Sequence, residues 1–260
     1  MNKATPKDIA LLDAEDVLMD KALLEYKRGM EMFYDQLISL NVNIYIVEQI
    51  VEFPFELFVA PGETTFFRQV VSNFGEASLL IISRLASDTN QDSHTLSQFR
   101  NWVLEQVKPE HRLAFQERLK RSRFDKEIRA MLKKAKLLRD RSIAHLTKAP
   151  LPEDFSKGIR LDLPEIKSLR DALNGQLEAL SFNTEHMMLP IDYHPRVQYP
   201  VGSNHRPDIE KLLDSLVRDS GLLDMAEREP EQWHYRRPHL NETQVEQLNQ
   251  YRRKFGLTEI

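Results

Sequence analysis

The sequence contains no cysteine among its 260 residues. This absence excludes disulfide bonds, thiolate metal sites and cysteine nucleophiles, and it is compatible with a reducing compartment. Glycine is also scarce, with eight residues, and the chain has no glycine-rich phosphate loop followed by lysine and no nucleophile elbow. Because alternating strand patterns are missing as well, we expect neither a Rossmann fold nor another α/β fold.

Long hydrophobic runs are absent too. The densest apolar cluster, residues 79–82, ends at Ser83-Arg84 and is far shorter than the roughly 20 residues that a membrane helix requires. Residues 1–8 lack the apolar core of a signal peptide. We therefore expect a cytoplasmic protein with no membrane partner.

Charge is distributed unevenly along the chain. The formal net charge is −4, yet residues 112–148 carry thirteen Lys or Arg against four Asp or Glu. That segment is therefore at +9 and the remainder of the chain at −13. Such a local excess attracts a polyanion such as RNA, although a solvated helix face balanced by acidic helices of the same bundle gives the same composition.

Apolar periodicity predicts an all-α fold. One helix has apolar residues at alternating spacings of four and three, a heptad pattern that requires a packed partner along its length. These residues are Met19, Leu23, Tyr26, Met30, Phe33, Leu37, Leu40, Ile44, Val47 and Val51. Pro54 ends this helix. A second helix, about 64–87, is apolar around most of its circumference, which is typical of a bundle centre or a subunit interface.

Capping boxes and prolines predict the remaining helices. We expect them at about 95–107, 110–146 (as one or two helices), 162–186, 208–227 and 242–254. The result is an up-and-down helical bundle with a C-terminal helical extension. The predicted domains are a bundle over 1–188, a proline-rich connector over 189–207 and accessory helices over 208–260.

The candidate chemistry lies at the end of the basic segment, in the run from Arg139 to His145. Arg141 and His145 are four apart and share a face in a regular helix, whereas Arg139 and His145 are six apart and diverge. A distortion near Ser142 or a second subunit is needed to bring Arg139 to the histidine. The alternative is structural: Arg139, Asp140 and Arg141 form surface ion pairs, and His145 contacts carbonyls at a helix C-terminus.

The same run resembles the signature of the HEPN superfamily (higher eukaryotes and prokaryotes nucleotide-binding). In that signature an Arg is followed by a polar residue and, after four to six intervening residues, by a His. Asp140 fills the polar position and five residues separate Arg139 from His145. Over about 10–187 the pattern is similar to the abortive-infection AbiU-type branch, with Arg84-Leu85-Ala86-Ser87-Asp88 ending a Phe-rich helix and a short helix starting at Thr95.

The resemblance implies a metal-independent RNA endoribonuclease of a phage-defence or toxin type. It implies that two copies of the motif form a composite active site at a homodimer interface, with no cofactor, with RNA as substrate and with a cognate antitoxin as a possible partner. The alternative is a non-catalytic HEPN-like module that binds nucleotide, RNA or a protein.

The resemblance also implies a role for each site residue. His145 transfers the proton of the RNA 2′-hydroxyl, and Arg139 binds the attacked phosphate. Asp140 orients Arg139 or the histidine. Arg141 is a secondary phosphate contact, although helix geometry favours it over Arg139 as the partner of His145. Arg84 matches the branch pattern as a substrate-binding residue, and an ordinary intrahelical pair with Asp88 is equally compatible with its position.

The C-terminal third contains two weaker candidates. Its scattered histidines lack the tight spacing of metal ligands, so we predict no metal site. The run Trp233-His234-Tyr235-Arg236-Arg237 combines aromatic and charged side chains, a composition that can stack a nucleobase or dock a partner. More often such a segment packs against its own domain.

Overall fold

The computed structural model describes residues 9, 11–60, 62–87, 95–140, 161–183 and 206–260. Within these ranges the regular structure is helical, and the only extended pairing is an isolated bridge between Leu18 and Val107. The prediction of an all-α helical bundle is confirmed. In the same ranges no helix combines the length and apolarity needed to cross a membrane.

The chain divides into two compact units. The first comprises Met1–Tyr45 and Phe74–Tyr193, and the second comprises Ile46–Asn73 and His194–Ile260. The sequence analysis assigned residues 46–73 to the bundle over 1–188, whereas this division places them with the C-terminal residues. The structure groups that segment with the C-terminal helices, since its Phe53, Phe58 and Phe67 belong to the second apolar core.

Two long helices, α2 and α4, contribute residues to both units, and the first unit also contains five shorter helices. The seven are α1 (Ala14–Val17), α2 (Leu23–Glu52), α4 (Thr65–Ser87), α5 (Leu96–Gln106), α6 (Arg112–Arg121), α7 (Lys126–Leu138) and α8 (Leu163–Glu178). Their apolar faces share one core that includes Tyr26, Phe33, Phe115 and Phe182.

The second unit is built from the end of α2, the start of α4 and five further helices. These are α3 (Phe55–Phe58), α9 (Asp208–Asp219), α10 (Met225–Arg228), α11 (Pro230–Arg236) and α12 (Glu242–Lys254). Aromatic rings join them: the Phe58 ring lies 5.0 Å from the Tyr251 ring, and the Phe55 ring lies 4.7 Å from the Phe67 ring.

The heptad pattern of α2 is buried from Tyr26 to Val47. At the next position the pattern fails, because Val51 is 59% exposed while Ile50 is buried. A straight α-helix drifts by about 20° per heptad, so after four heptads the seam has rotated by roughly 80°. The burial of Ile50 shows that the end of α2 packs against the second core on a different face.

The helix α4 is apolar on several faces, as predicted, but only part of it is buried. Phe67, Ile82 and Leu85 are buried. On another face, Phe66 is 63% and Leu80 is 36% exposed. Val70, Ala77 and Ile81 lie half-buried beside them. We call these five residues the α4 face.

The predicted capping boxes are present. Thr95 with Gln98 caps α5, and Asp162 with Glu165 caps α8. The helix α8 ends at Glu178, earlier than the predicted 186, because partners from α2 and α6 take its terminal carbonyls. The Tyr26 hydroxyl donates to the Leu180 carbonyl at 2.8 Å.

The basic segment folds as two helices, which is one of the two predicted alternatives, and one other predicted helix ends early. The basic segment contains two helices, α6 and α7, and the second begins at the N-cap Asp125, whose side chain accepts from the Ile128 backbone N–H. The helix predicted over 208–227 ends at Asp219 instead. Gly221 follows with φ of +67°, in the left-handed region that favours glycine, and this turn separates α9 from α10.

Candidate functional site

The described part of the motif is Arg139 and Asp140, which directly follow α7. At these two residues the backbone changes from α-helical to π-helical. Such π segments are rare and occur frequently at functional sites. Arg141 and His145 lie outside the described residues, so their place on one helix face stays a prediction.

Arg139 and Asp140 form an ion pair. The Arg139 Nε donates to Asp140 Oδ1 at 2.8 Å, and Nη2 lies 2.6 Å from the same oxygen. The Arg139 side chain is 16% exposed. This is the contact that the sequence analysis gave as one of two alternatives for Asp140. One carboxylate oxygen thus holds one edge of the planar guanidinium and restricts its rotation.

The other predicted site residues are placed differently. His145, Arg141, Ser142 and Asp88 lie outside the described residues. Arg84 is exposed in the last turn of α4, where its Nη1 donates to Gln36 Oε1 over 3.4 Å. The structure therefore pairs Arg139 with Asp140 and Arg84 with Gln36, and the placement of either arginine relative to His145 stays a prediction.

Several arginines in and near the basic segment bind helix ends. Arg118 donates to the Ser181 carbonyl at 2.8 Å and to the Glu178 carbonyl at 2.7 Å. Arg112 donates to the Glu105 carbonyl at 3.2 Å. A cation at a helix C-terminus satisfies the last carbonyls and complements the helix dipole. Burial lowers the pKa of Arg118, but a guanidinium keeps its charge at any physiological pH.

A second set of cations lies on one face of α7, at successive spacings of three, four and three residues. We call it the α7 row, and it consists of Lys126, Arg129, Lys133 and Lys136. The first three are exposed and the last is half-buried. None forms an ion pair in the part of the chain that the structure describes. Lys134 on the same helix differs, because it binds Glu165 at 2.8 Å.

The turn before α7 adds further positive charge. Lys120, Arg121 and Arg123 are exposed and, like the α7 row, have no ion pair among the described residues. Burial and then the charge of Arg123 lower the pKa of Arg100, whose Nη2 donates to the Leu119 carbonyl. The positive charge of Arg123 thus acts on Arg100. The positive field between α6 and α7 is largely uncompensated by ion pairs among the described residues.

The second unit contains two cavities that the sequence analysis did not predict. The first, of about 700 Å³, is lined by apolar side chains such as Val51, Phe55 and Phe67 with Arg68 at its edge. The second, of about 850 Å³, lies between residues 56–60 and 220–236 and includes Tyr235 and Arg236. In the sequence, only the aromatic-basic run at 233–237 pointed to the second cavity. The rest of its wall comes from segments far apart in the chain.

Metal ligation has no support within the described ranges, where no group of three or more His, Asp or Glu could hold an ion. Comparisons with protein-family models, with curated proteins and with solved structures found no match to this chain. The functional argument therefore depends on the geometry and charge of the residues themselves.

Proposed function

We propose that this protein is a metal-independent endoribonuclease of the HEPN type, acting in phage defence or as a toxin. RNA binds along the α7 row and is cleaved at the run from Arg139 to His145. The observation that carries this proposal is the position of the unpaired α7 row on the helix that leads directly to the Arg139–Asp140 pair. Because these cations have no ion-pair partner among the described residues, their charge is available to phosphate.

The dimensions of the row suit a nucleic-acid strand. From Lys126 to Lys136 the helix rises by about 15 Å. A stacked strand presents one phosphate per roughly 3.4 Å, so the row faces about four phosphates. A strand lying along α7 with its backbone on these side chains reaches Arg139 at the end of the helix.

The proposed chemistry needs a phosphate-binding group and a proton-transfer group. Arg139, held by Asp140, binds the scissile phosphate and stabilises the charge that develops on it. His145 accepts the 2′-hydroxyl proton as the 2′-oxygen forms a bond to phosphorus and the 5′-oxygen leaves. DNA lacks the 2′-hydroxyl, so the same site does not cleave it.

A second copy of the chain completes the proposed site. The half-exposed α4 face supports this part of the proposal, because an apolar stripe of this kind is stabilised by burial against a partner. Arg84 lies eighteen residues after Phe66, which is five helical turns, and so it shares that face. Sedimentation should show a dimer at micromolar concentration, and Phe66→Ser with Leu80→Ser should shift it to monomer. A wild-type monomer would contradict the composite site.

The decisive experiment is RNA cleavage in the presence of EDTA. We expect wild-type activity to persist, single-stranded DNA to remain intact, and His145→Ala to lower cleavage by roughly 10²- to 10⁴-fold, the usual effect of a positioned proton-transfer group. Arg139→Ala should cause a similar loss, whereas Arg141→Ala should cause only a modest one. Lys134→Gln is the matched control on the same helix, since Lys134 is already paired.

Two outcomes would contradict the nuclease proposal. The first is loss of activity on chelation. The second is a His145→Ala protein with reduced melting temperature whose folded fraction cleaves at the wild-type rate. The alternative, a non-catalytic RNA- or nucleotide-binding module, is favoured by one observation: Arg139 and Asp140 are sequence neighbours, and such a pair also forms without any function. RNA binding without cleavage by the wild type would support that alternative.

A further inference from the structure

The short helix α11 in the second unit exposes an aromatic ring. Tyr235 is 78% exposed, more than Phe66 or any other large hydrophobic residue that the structure describes as exposed. Its ring lies 5.6 Å from the His239 ring at an interplanar angle of 59°. This tilted contact supports one side of the tyrosine and leaves most of its surface accessible to solvent.

Two cations follow this tyrosine in the sequence. Arg236 and Arg237 follow Tyr235 directly and are exposed. Within the described residues neither of them forms an ion pair. Other arginines of the same unit behave differently: Arg253 pairs with Glu246 and Glu259, and Arg228 pairs with Asp224. Carboxylates of this unit thus pair with Arg228 and Arg253, whereas Arg236 and Arg237 have no carboxylate partner among the described residues.

A cavity adjoins the ring. The second cavity, of about 850 Å³, has apolar walls that include Phe58, Leu222 and Met225, with Tyr235 and Arg236 among its lining residues. Its size lies within the range of small-molecule sites, which are mostly apolar with a few placed polar groups.

The polar groups of this cavity include Glu231 and Gln232, which precede the aromatic residues on the same helix. No hydrogen bond to either side chain is present in the described part of the structure. A carboxylate accepts from an exocyclic amine, and an amide both donates and accepts. These two side chains therefore match the hydrogen-bonding edge of a nucleobase.

We propose that the Tyr235 surface and its cavity form a nucleobase-binding site. The base stacks on the Tyr235 ring, its polar edge meets Glu231 or Gln232, and its phosphate lies against Arg236 or Arg237. Stacking on an aromatic ring beside arginines is the way in which single-stranded nucleic acids are held without sequence preference. The ligand is a nucleobase that carries a phosphate, either as a free nucleotide or as one residue of a single strand.

This site is independent of the proposed cleavage chemistry. Tyr235, Arg236 and the cavity belong to the second unit, whereas α7 and Arg139 belong to the first. A nucleotide can bind at Tyr235 whether or not the first unit cleaves RNA.

Calorimetry of the full chain with AMP, with UMP and with a ten-residue single-stranded RNA tests the proposal. We expect Tyr235→Ala to weaken binding by about 5- to 150-fold, the range that base–aromatic stacking provides, and Tyr235→Phe to retain it. Arg236→Gln with Arg237→Gln should also weaken binding and should reduce its salt dependence. Titration of the oligonucleotide into the variant Lys126→Gln, Arg129→Gln, Lys133→Gln separates this site from the α7 row.

The outcomes distinguish the sources of the ligand. Binding of AMP or UMP that depends on Tyr235 assigns the cavity to a free nucleotide. Binding of the oligonucleotide alone, weakened by Tyr235→Ala in the protein without the α7 row, assigns it to an RNA strand. If no nucleotide binds and Tyr235→Ala leaves the oligonucleotide affinity unchanged, the proposal is wrong.

Discussion

Two helix-end arginines of the first unit and a buried arginine of the second unit bind different kinds of partner. In the first unit, Arg112 and Arg118 donate to backbone carbonyls at helix ends. In the second unit, Arg252 is completely buried and donates to the Glu227 carboxylate and to the Leu223 and Thr258 carbonyls. The Arg252 hydrogen bond is also the main cause of the lowered pKa of Glu227.

The difference decides how much positive charge each of these guanidiniums keeps. A helix-end carbonyl satisfies the hydrogen bonds of a guanidinium but carries only a partial negative charge, so most of the positive charge persists. A carboxylate cancels the charge fully. Arg112 and Arg118 therefore add to the positive charge of the basic segment, whereas Glu227 neutralises Arg252 in the second unit.

The largest expected effect is at Arg252. Arg252→Met should lower the free energy of unfolding by about 3–5 kcal/mol, because removal of one partner from a buried pair leaves the other groups unsatisfied. Arg253→Met is the matched control: its pairs are exposed to solvent, so their loss should change stability much less than the Arg252 substitution. Urea denaturation measures both. Equal losses in the two variants would show that burial of the arginine does not matter.

The next effect is at Arg118, where the partners are carbonyls. Arg118→Met should destabilise the protein by roughly 1.5–3 kcal/mol, the contribution of hydrogen bonds made by a charged donor. Arg121→Met, at an exposed position of the same helix, should change stability by less than about 0.5 kcal/mol. A negligible loss at Arg118 would mean that water replaces the guanidinium at the end of α8.

The α7 row should affect RNA affinity and leave stability unchanged. The variant Lys126→Gln, Arg129→Gln, Lys133→Gln should bind single-stranded RNA roughly 10- to 50-fold more weakly at physiological salt, with a salt slope reduced by about 2. Fluorescence anisotropy at several salt concentrations measures both quantities. An unchanged slope would place the RNA contact elsewhere, and Lys134→Gln should leave both values near those of the wild type.

The smallest effect concerns alkaline pH. Burial, and then the charge of Asp214, raise the pKa of Tyr251 to about 12. In the unfolded chain this phenol ionises near pH 10, so its contribution to stability is complete below pH 10 and declines as the pH rises toward 12. Tyr251→Phe should therefore lose less stability than the wild type between pH 9 and pH 11. Tyr235→Phe, at an exposed position, should follow the wild-type curve.

Local signals in the sequence predicted most of the fold. The heptad spacing of α2, the Thr95 and Asp162 capping boxes and the start of α9 and α12 agree with the structure to within about one or two residues. These features depend on neighbours three or four positions apart, which the sequence displays directly. The candidate site was harder to predict from the sequence. The contact of Arg139 with Asp140 was one of two alternatives, and no pattern in the sequence indicated the π-helical backbone at these residues.

The sequence by itself determined that the chain is helical, where most helices begin, and that positive charge is concentrated in residues 112–148. Only the tertiary structure decided which of those charges form ion pairs among the described residues. Arg118 donates to a carbonyl that lies sixty residues away in the sequence. Lys134 on α7 pairs with Glu165 on α8. Periodicity is a property of adjacent turns, whereas pairing depends on which distant segments the packing of the core brings together.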